Sequence, residues 1–241
     1  MDRRLLGEAD RVVVLLCRQQ GKLSAVAPAA RKSRRRFGGC LELFARIEVS
    51  LTDKGRGGLW RLEEANLVED HTGLRGDLIA IAHAGYLTEL TSALLREGEE
   101  VAGAFTLLST GLATLDSGPM DTAGLRRYEL ALLDLVGLTP VFDACTGCGA
   151  QVSDGWHFDP DAGGICCSAC AKGPWAEHLS LASLELLRRL RSGETIRAGR
   201  DTAAMAEARG LLSRVIDQHV GRPLKAREFL RQLAAESGNT V

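Results

Sequence analysis

Four cysteines in this 241-residue chain are spaced for metal chemistry. Cys145-Thr146-Gly147-Cys148 and Cys167-Ser168-Ala169-Cys170 are two C-x2-C pairs separated by 18 residues. Thiolates in this pattern, with a spacer of about 15–20 residues, suit the tetrahedral demand of a structural zinc ion. Each pair is expected to form a tight knuckle, with the spacer folding back as a small hairpin. Gly147 and Gly149 fit the first knuckle, where the backbone turns sharply and positive φ is called for. Four sulfurs close the coordination sphere to water and substrate, so the expected role is a folding staple, not catalysis. Cys166 adjoins the set as an alternative to Cys167, although only Cys167 completes a two-residue knuckle with Cys170. His157 is a weaker substitute for one of the thiols.

The second chemical feature is Arg31-Lys32-Ser33-Arg34-Arg35-Arg36, five cations in six residues. Guanidinium forks grip phosphate oxygens bidentately, and a cationic loop can follow a polyanionic backbone. Phosphate neutralisation releases counterions, so such binding is salt-dependent and indifferent to sequence. The plain alternative is a solvated charge run. Lys22, with Arg11, Arg18 and Arg46, favours the nucleic-acid reading. Few aromatic residues stand nearby: Phe37 is the candidate for stacking on a base, whereas Phe44, in an alternating stretch, reads as core.

Other chemistries lack their residues. There is no G-x-x-x-x-G-K-[ST] loop and no H-E-x-x-H. No H-x-E precedes Cys145, as a zinc deaminase requires. His71, His83 and His219 fall near expected element ends, as surface or capping residues. The reading is therefore not an enzyme. Apolar content of 45% and charged content of 25% are those of a soluble globular protein. No apolar run reaches bilayer length and no signal peptide opens the chain, which points to the cytoplasm without membrane association. Seven cysteines, four at metal spacing, suit a reducing compartment. The net charge of −1 hides an asymmetry. Residues 1–60 carry 13 Lys/Arg against six Asp/Glu, and the remainder 17 against 25. A basic N-terminal unit joined to an acidic remainder points to a polyanionic partner.

The elements that must position these groups follow from periodicity. Residues 11–17, 22–27, 41–51 and 59–65 alternate or are β-branched, with turns at 19–22 and 54–58, which predicts a small barrel. From about residue 72 the period becomes helical, with helices expected at 101–115, 125–136, 202–220 and 225–233, and one opened by Ser180 as its cap. Gly137 and Pro140 end the second of these, and Pro223 separates the last two. The zinc segment lies between, at 141–176. The fold class is therefore α+β: a β-barrel domain over 1–70, then a helical domain over 71–241 with the inserted zinc module.

In their order, several stretches resemble the RecO family of bacterial recombination mediators. Gly7-Glu8-Ala9-Asp10-Arg11 and Gly21-Lys22-Leu23 are similar to that family's opening hairpin, and Ala29-Ala30-Arg31-Lys32-Ser33 to its basic loop. Tyr86-Leu87-Thr88-Glu89-Leu90, Arg127-Tyr128-Glu129 through Pro140, Gly163-Gly164-Ile165-Cys166-Cys167 and His219-Val220-Gly221-Arg222-Pro223 through Leu230 resemble later signatures. The resemblance makes Cys167 the family-equivalent ligand. It implies that the barrel is an OB-fold and that the four cysteines hold structural Zn2+. It also implies binding to single- and double-stranded DNA, annealing of complementary strands, and loading of RecA onto DNA coated by single-strand-binding protein. RecR and the acidic C-terminal tail of single-strand-binding protein are the implied protein partners, and the nucleoid the implied location. Relatives lacking the zinc ligands make the metal a stability device. A zinc-stapled protein-interaction module without direct DNA binding is the competing reading. Only Met1–Leu6 precede the Gly7-Glu8 turn, so the barrel's first strand is expected to be missing and the true start to lie upstream.

Overall fold

The alternating residues near the N-terminus form a five-stranded sheet in the computed structural model. It describes residues 1–6, 8–30, 33–37, 40–53, 59–151, 155–194, 196 and 202–237, except the side chains of Arg34, Arg35, Thr202, Ala234, Glu236 and Ser237. The strands are β1 (Asp2–Leu6), β2 (Asp10–Cys17), β3 (Gly21–Ala27), β4 (Arg46–Asp53) and β5 (Leu59–Glu69). Their order is β1-β2-β3-β5-β4, antiparallel except where β3 runs parallel to β5. β3 shows why these residues make strands: Gly21, Leu23, Ala25 and Ala27 are buried, while Lys22, Ser24 and Val26 between them are half-buried. Side chains two apart share a face, so the apolar set enters one core. That core joins Val13, Leu23, Ala25, Leu62 and Ala65 to Phe37, which comes from the four-residue helix α1 (Arg34–Phe37) between β3 and β4.

Three expectations are corrected here. The first strand is not missing: Asp2–Leu6 forms β1 and pairs with β2 from Asp2↔Val14 to Leu6↔Asp10. The barrel is not closed, because β1 and β4 stand at opposite ends of the strand order and do not pair. The third strand does not begin at Leu41. Residues 41–44 turn, Phe44 has φ 69, and β4 starts only at Arg46. Alternation over 41–45 continued the strand's period, but the left-handed residue breaks the extended chain there.

The chain divides into two compact units, Met1–Met120 with Leu224–Val241, and Asp121–Pro223. In the first, the sheet is followed by a 3-10 turn (Thr72–Gly76), α2 (Leu78–Leu94) and α3 (Ala104–Ser117). Asp77 caps α2 by accepting from the Ile79 N–H at 2.8 Å. α2 buries Ala80, Ala84, Leu87 and also His83 and Thr88, so apolar contacts surround much of it. His71 and His83 are thus buried rather than surface residues. α7 (Lys225–Ser237) packs on α2. The Glu89 carboxylate of α2 accepts from the N–H groups of Lys225 at 3.1 Å and Ala226 at 2.8 Å. A negative charge there satisfies two otherwise unpaired donors of the first turn of α7.

The second unit holds α4 (Thr122–Leu135), α5 (Leu181–Arg191) and α6 (Thr202–Val220), with a sheet of β6 (Trp156–Asp159), β7 (Gly164–Cys167) and β8 (Glu177–Leu179) in the order β7-β6-β8. α5 packs on both α4 and α6. Ser180 caps α5 as expected, its hydroxyl accepting from the Ser183 N–H at 3.2 Å. A carboxylate from α6 completes that cap. Glu207 accepts from the Ser180 N–H at 3.2 Å, the Ser180 hydroxyl at 2.5 Å and the Ser183 hydroxyl.

Candidate metal centre and basic surface

The 18-residue spacer supplies β6 and most of β7, an antiparallel hairpin with Trp156 opposite Cys167 and Asp159 opposite Gly164. Its turn is fixed by Asp159, whose carboxylate accepts from the N–H groups of Asp161 at 3.0 Å and Ala162 at 3.4 Å. The hairpin brings the second knuckle back to the first. In the first knuckle the Gly149 N–H donates to the Cys145 carbonyl, and in the second the Cys170 and Ala171 N–H groups donate to the Cys167 carbonyl. Gly147 is needed for room: a Cβ there would lie 2.9 Å from the Cys170 Cβ. Gly149 supplies the left-handed backbone, with φ 75.

The four sulfurs of Cys145, Cys148, Cys167 and Cys170 lie within 4.8 Å of one another, a cluster that could hold a metal ion. Cys148 Sγ and Cys167 Sγ are 3.8 Å apart. A tetrahedral ion with metal–sulfur bonds of about 2.3 Å requires an edge of about 3.8 Å. The donor set therefore fits zinc in both chemistry and spacing. Cys166 is not part of it. Successive residues of β7 point to opposite faces, and the Cys166 thiol is buried beside the Thr146 hydroxyl at 3.1 Å. His157 lies on β6 opposite Cys166 and His178, its ring edge-on to that of His178 at 5.9 Å.

Burial pushes the Cys145 thiol up, but backbone N–H groups of Cys167, Cys148 and Gly147 outweigh it and bring the pKa down to about 6. Hydrogen bonding with the sulfurs of Cys167, Cys148 and Cys145 pushes Cys170 up to about 12. A divalent ion held by these sulfurs would displace the remaining thiol protons.

The basic residues are less gathered. Arg31 and Lys32 lie outside the described residues. Arg34 and Arg35 stand on α1, which gives their place in the chain but no side-chain contacts. Arg36 donates to the Pro28 carbonyl at 2.7 Å and lies over the Phe37 ring at 5.1 Å. Lys22 donates to the Ser92 carbonyl at 2.6 Å, in the last turn of α2. Lys22 and Pro28 are six residues apart along β3, about 20 Å at strand rise, so the Lys22 and Arg36 contacts sit at opposite ends of that strand. Arg46 pairs with Glu69 at 3.0 Å, and the Arg18 guanidinium lies over Phe105 at 5.1 Å. Phe37 is only 3% exposed, so it fills the core rather than offering a stacking face. Phe44 is half-buried in its turn.

Comparison with known families covers both halves of the chain. The model described as Recombination protein O N terminal matches residues 1–71, and Recombination protein O C terminal matches residues 75–228. The chain belongs to the RecO family. It is 41% identical over 232 residues to the DNA repair protein RecO of Anaeromyxobacter sp. (strain K), covering 94% of this chain and 91% of that one. It is 38% identical over 231 residues to the DNA repair protein RecO of Myxococcus xanthus, covering 95% and 93%. The RecO-like stretches 86–90 and 219–230 meet through the Glu89 carboxylate, a contact no local pattern announces. No described helix is long and apolar enough to cross a membrane.

Proposed function

We propose that this RecO-family chain is a DNA repair and recombination mediator without enzymatic chemistry of its own. It binds single- and double-stranded DNA, anneals complementary strands, and helps load RecA on DNA coated by single-strand-binding protein, with RecR as partner. The carrying observation is family membership across both halves of the chain. The charge asymmetry supports it: the N-terminal 60 residues hold 13 cations against six acids. Annealing requires two like-charged strands to approach, and a cationic surface lowers that repulsion without bond chemistry. Residues 1–70 serve as the nucleic-acid-binding domain and 71–241 as the helical domain. Arg31, Lys32, Arg34, Arg35 and Arg36 hold phosphate. Lys22 contributes from the other end of β3, where it also ties the sheet to α2.

In this reading Cys145, Cys148, Cys167 and Cys170 hold structural Zn2+, which supplies cross-linking of the two knuckles and no open coordination site. The acidic C-terminal tail of single-strand-binding protein is a second partner, and the protein works in the cytoplasm at the nucleoid. One observation favours the competing reading of a protein-interaction module: the side chains of Lys22 and Arg36 already donate to main-chain carbonyls.

Fluorescence anisotropy of a labelled single-stranded oligonucleotide at several salt concentrations separates the two. The mediator reading expects log affinity to fall steeply with log salt, and Ala at Arg34, Arg35 and Arg36 to flatten that slope by about 2–3. Salt-independent or absent binding at low salt would leave the interaction module.

A further inference from the structure

The unclosed side of the five-stranded sheet has an under-filled interior. A cavity of about 790 Å³ is lined by apolar residues of β2, β4, β5 and α3, among them Leu15, Val49, Leu51, Trp60 and Phe105. Met1, next to β1, and residues 46–49 and 51 of β4 both line it, so it has walls from both sides of the open seam. Leu15, Val49, Leu51 and Trp60 are the partly buried residues around the sheet's core, so this half of the interior is not sealed.

Two further observations make it a built site. Thr88 and His71 also line the cavity, are 5% and 3% exposed, and present Oγ1 and Nδ1 without hydrogen-bond partners. Arg46, at the same cavity, has an unpartnered buried Nε. Buried polar atoms without partners are costly, and a cluster of them beside an apolar space fits a ligand that brings its own polar groups. Second, β4 is the terminal strand of the sheet, so one of its edges has no strand partner among the described residues. An eight-residue edge with apolar side chains at Ile47, Val49 and Leu51 is a template for another extended chain.

We propose that this seam is a peptide-docking site: an extended segment of a partner protein adds to the free edge of β4 and places alternate bulky apolar side chains in the cavity. Its main-chain groups complement the edge, and its polar atoms meet Thr88, His71 and Arg46. A nucleic-acid strand fits less well. The two cations of the lining are already engaged, Arg18 over the Phe105 ring and Arg46 with Glu69, while Glu48 lines the cavity and Glu69 and Asp116 lie 3.8 Å from His71 Nδ1, which leaves little for phosphate to bind. Ser33 and Arg36, the described side chains of the basic loop, do not line the cavity.

The test pans a random twelve-residue phage-displayed library on the whole protein, then measures an enriched synthetic peptide by Trp60 fluorescence and hydrogen exchange. The proposal expects alternating bulky apolar residues in the enriched peptides, slowed exchange at the amides of β4, and at least tenfold weaker binding by V49R. T88V, which keeps the side-chain shape, should bind about threefold more weakly and serves if V49R does not fold. Enriched peptides that lack the alternation, or that leave β4 exchange unchanged, would overturn it. So would displacement of the peptide by a single-stranded oligonucleotide whose own binding V49R weakens, since that makes the seam a nucleic-acid site.

Discussion

The two sheets of this protein solve the same problem with opposite means. The five-stranded sheet uses long strands, with Leu23, Leu62 and Ala25 fully or almost fully buried in a shared apolar core. The three-stranded sheet has strands of four, four and three residues, too short to be independently stable. It buries Trp156, Phe158, Ile165 and Leu179, and beside them has a cluster of four sulfurs set by local spacing. An apolar core distributes its stabilisation over many contacts and tolerates an open seam. A metal held by the four sulfurs would concentrate it in one point and tolerate no lost ligand. The comparison predicts that the two sheets fail separately.

Metal removal should give the largest effect. Structural zinc contributes about 10–16 kcal/mol in small zinc-dependent folds. Chelation, or C145S, is expected to abolish one equivalent of bound zinc and to erase exchange protection at Trp156–Asp159 and Gly164–Cys167. The amides of β2 and β3 should keep theirs. Loss of protection in both sheets at once would break the comparison. The converse change is Leu62→Ala, a fully buried core position. It should cost about 2–5 kcal/mol, seen as a lower denaturation midpoint for the first sheet while zinc content stays the same.

A smaller effect sharpens the picture at the cap of α5. Burial pushes the Glu207 carboxyl up, but hydrogen bonds from the Ser180 and Ser183 hydroxyls and the Ser180 N–H outweigh it and hold it below the usual carboxylate range. A carboxyl whose folded pKa is depressed stabilises the fold above its unfolded pKa and loses that contribution as pH falls through the folded value. E207Q should therefore lower stability by about 1 kcal/mol at pH 7, allowing for partial exposure. The gap to wild type should close as pH falls through and below the usual carboxylate range. A pH-independent gap would mean that the serines, not the charge, carry the cap.

How much of this was legible in the sequence depended on the range of the interaction. The knuckles were readable because C-x2-C spacing is local. β2, β3 and the helices α3 to α7 were readable because burial on one face writes a period into the chain. The Cys166 alternative was settled by strand alternation once β7 had a register. Phe37 was misplaced because its neighbours are cations, whereas its ring turns inward from a single short helix. His71 and His83 are buried by segments distant in sequence, and neither carries a local mark of it. The caps made by Glu89 and Glu207 join residues 136 and 27 positions away, beyond the reach of any window. The open seam is a relation between the first and fourth strands, which no single strand discloses.

The docking of α7 on α2 also sets an order of events during synthesis. The first unit begins at residue 1 but regains its last helix only after residue 224, with the whole second unit translated in between. A nascent chain must therefore carry α2 with part of its apolar surface uncovered while the 130 residues from 95 to 224 are added, about 7–26 s at ordinary elongation rates. The second unit, contiguous in sequence, can finish folding first. Glu89 then waits as a preformed receptor for the N–H groups of Lys225 and Ala226, so the final closure of the molecule is a long-range latch, not a local zipper.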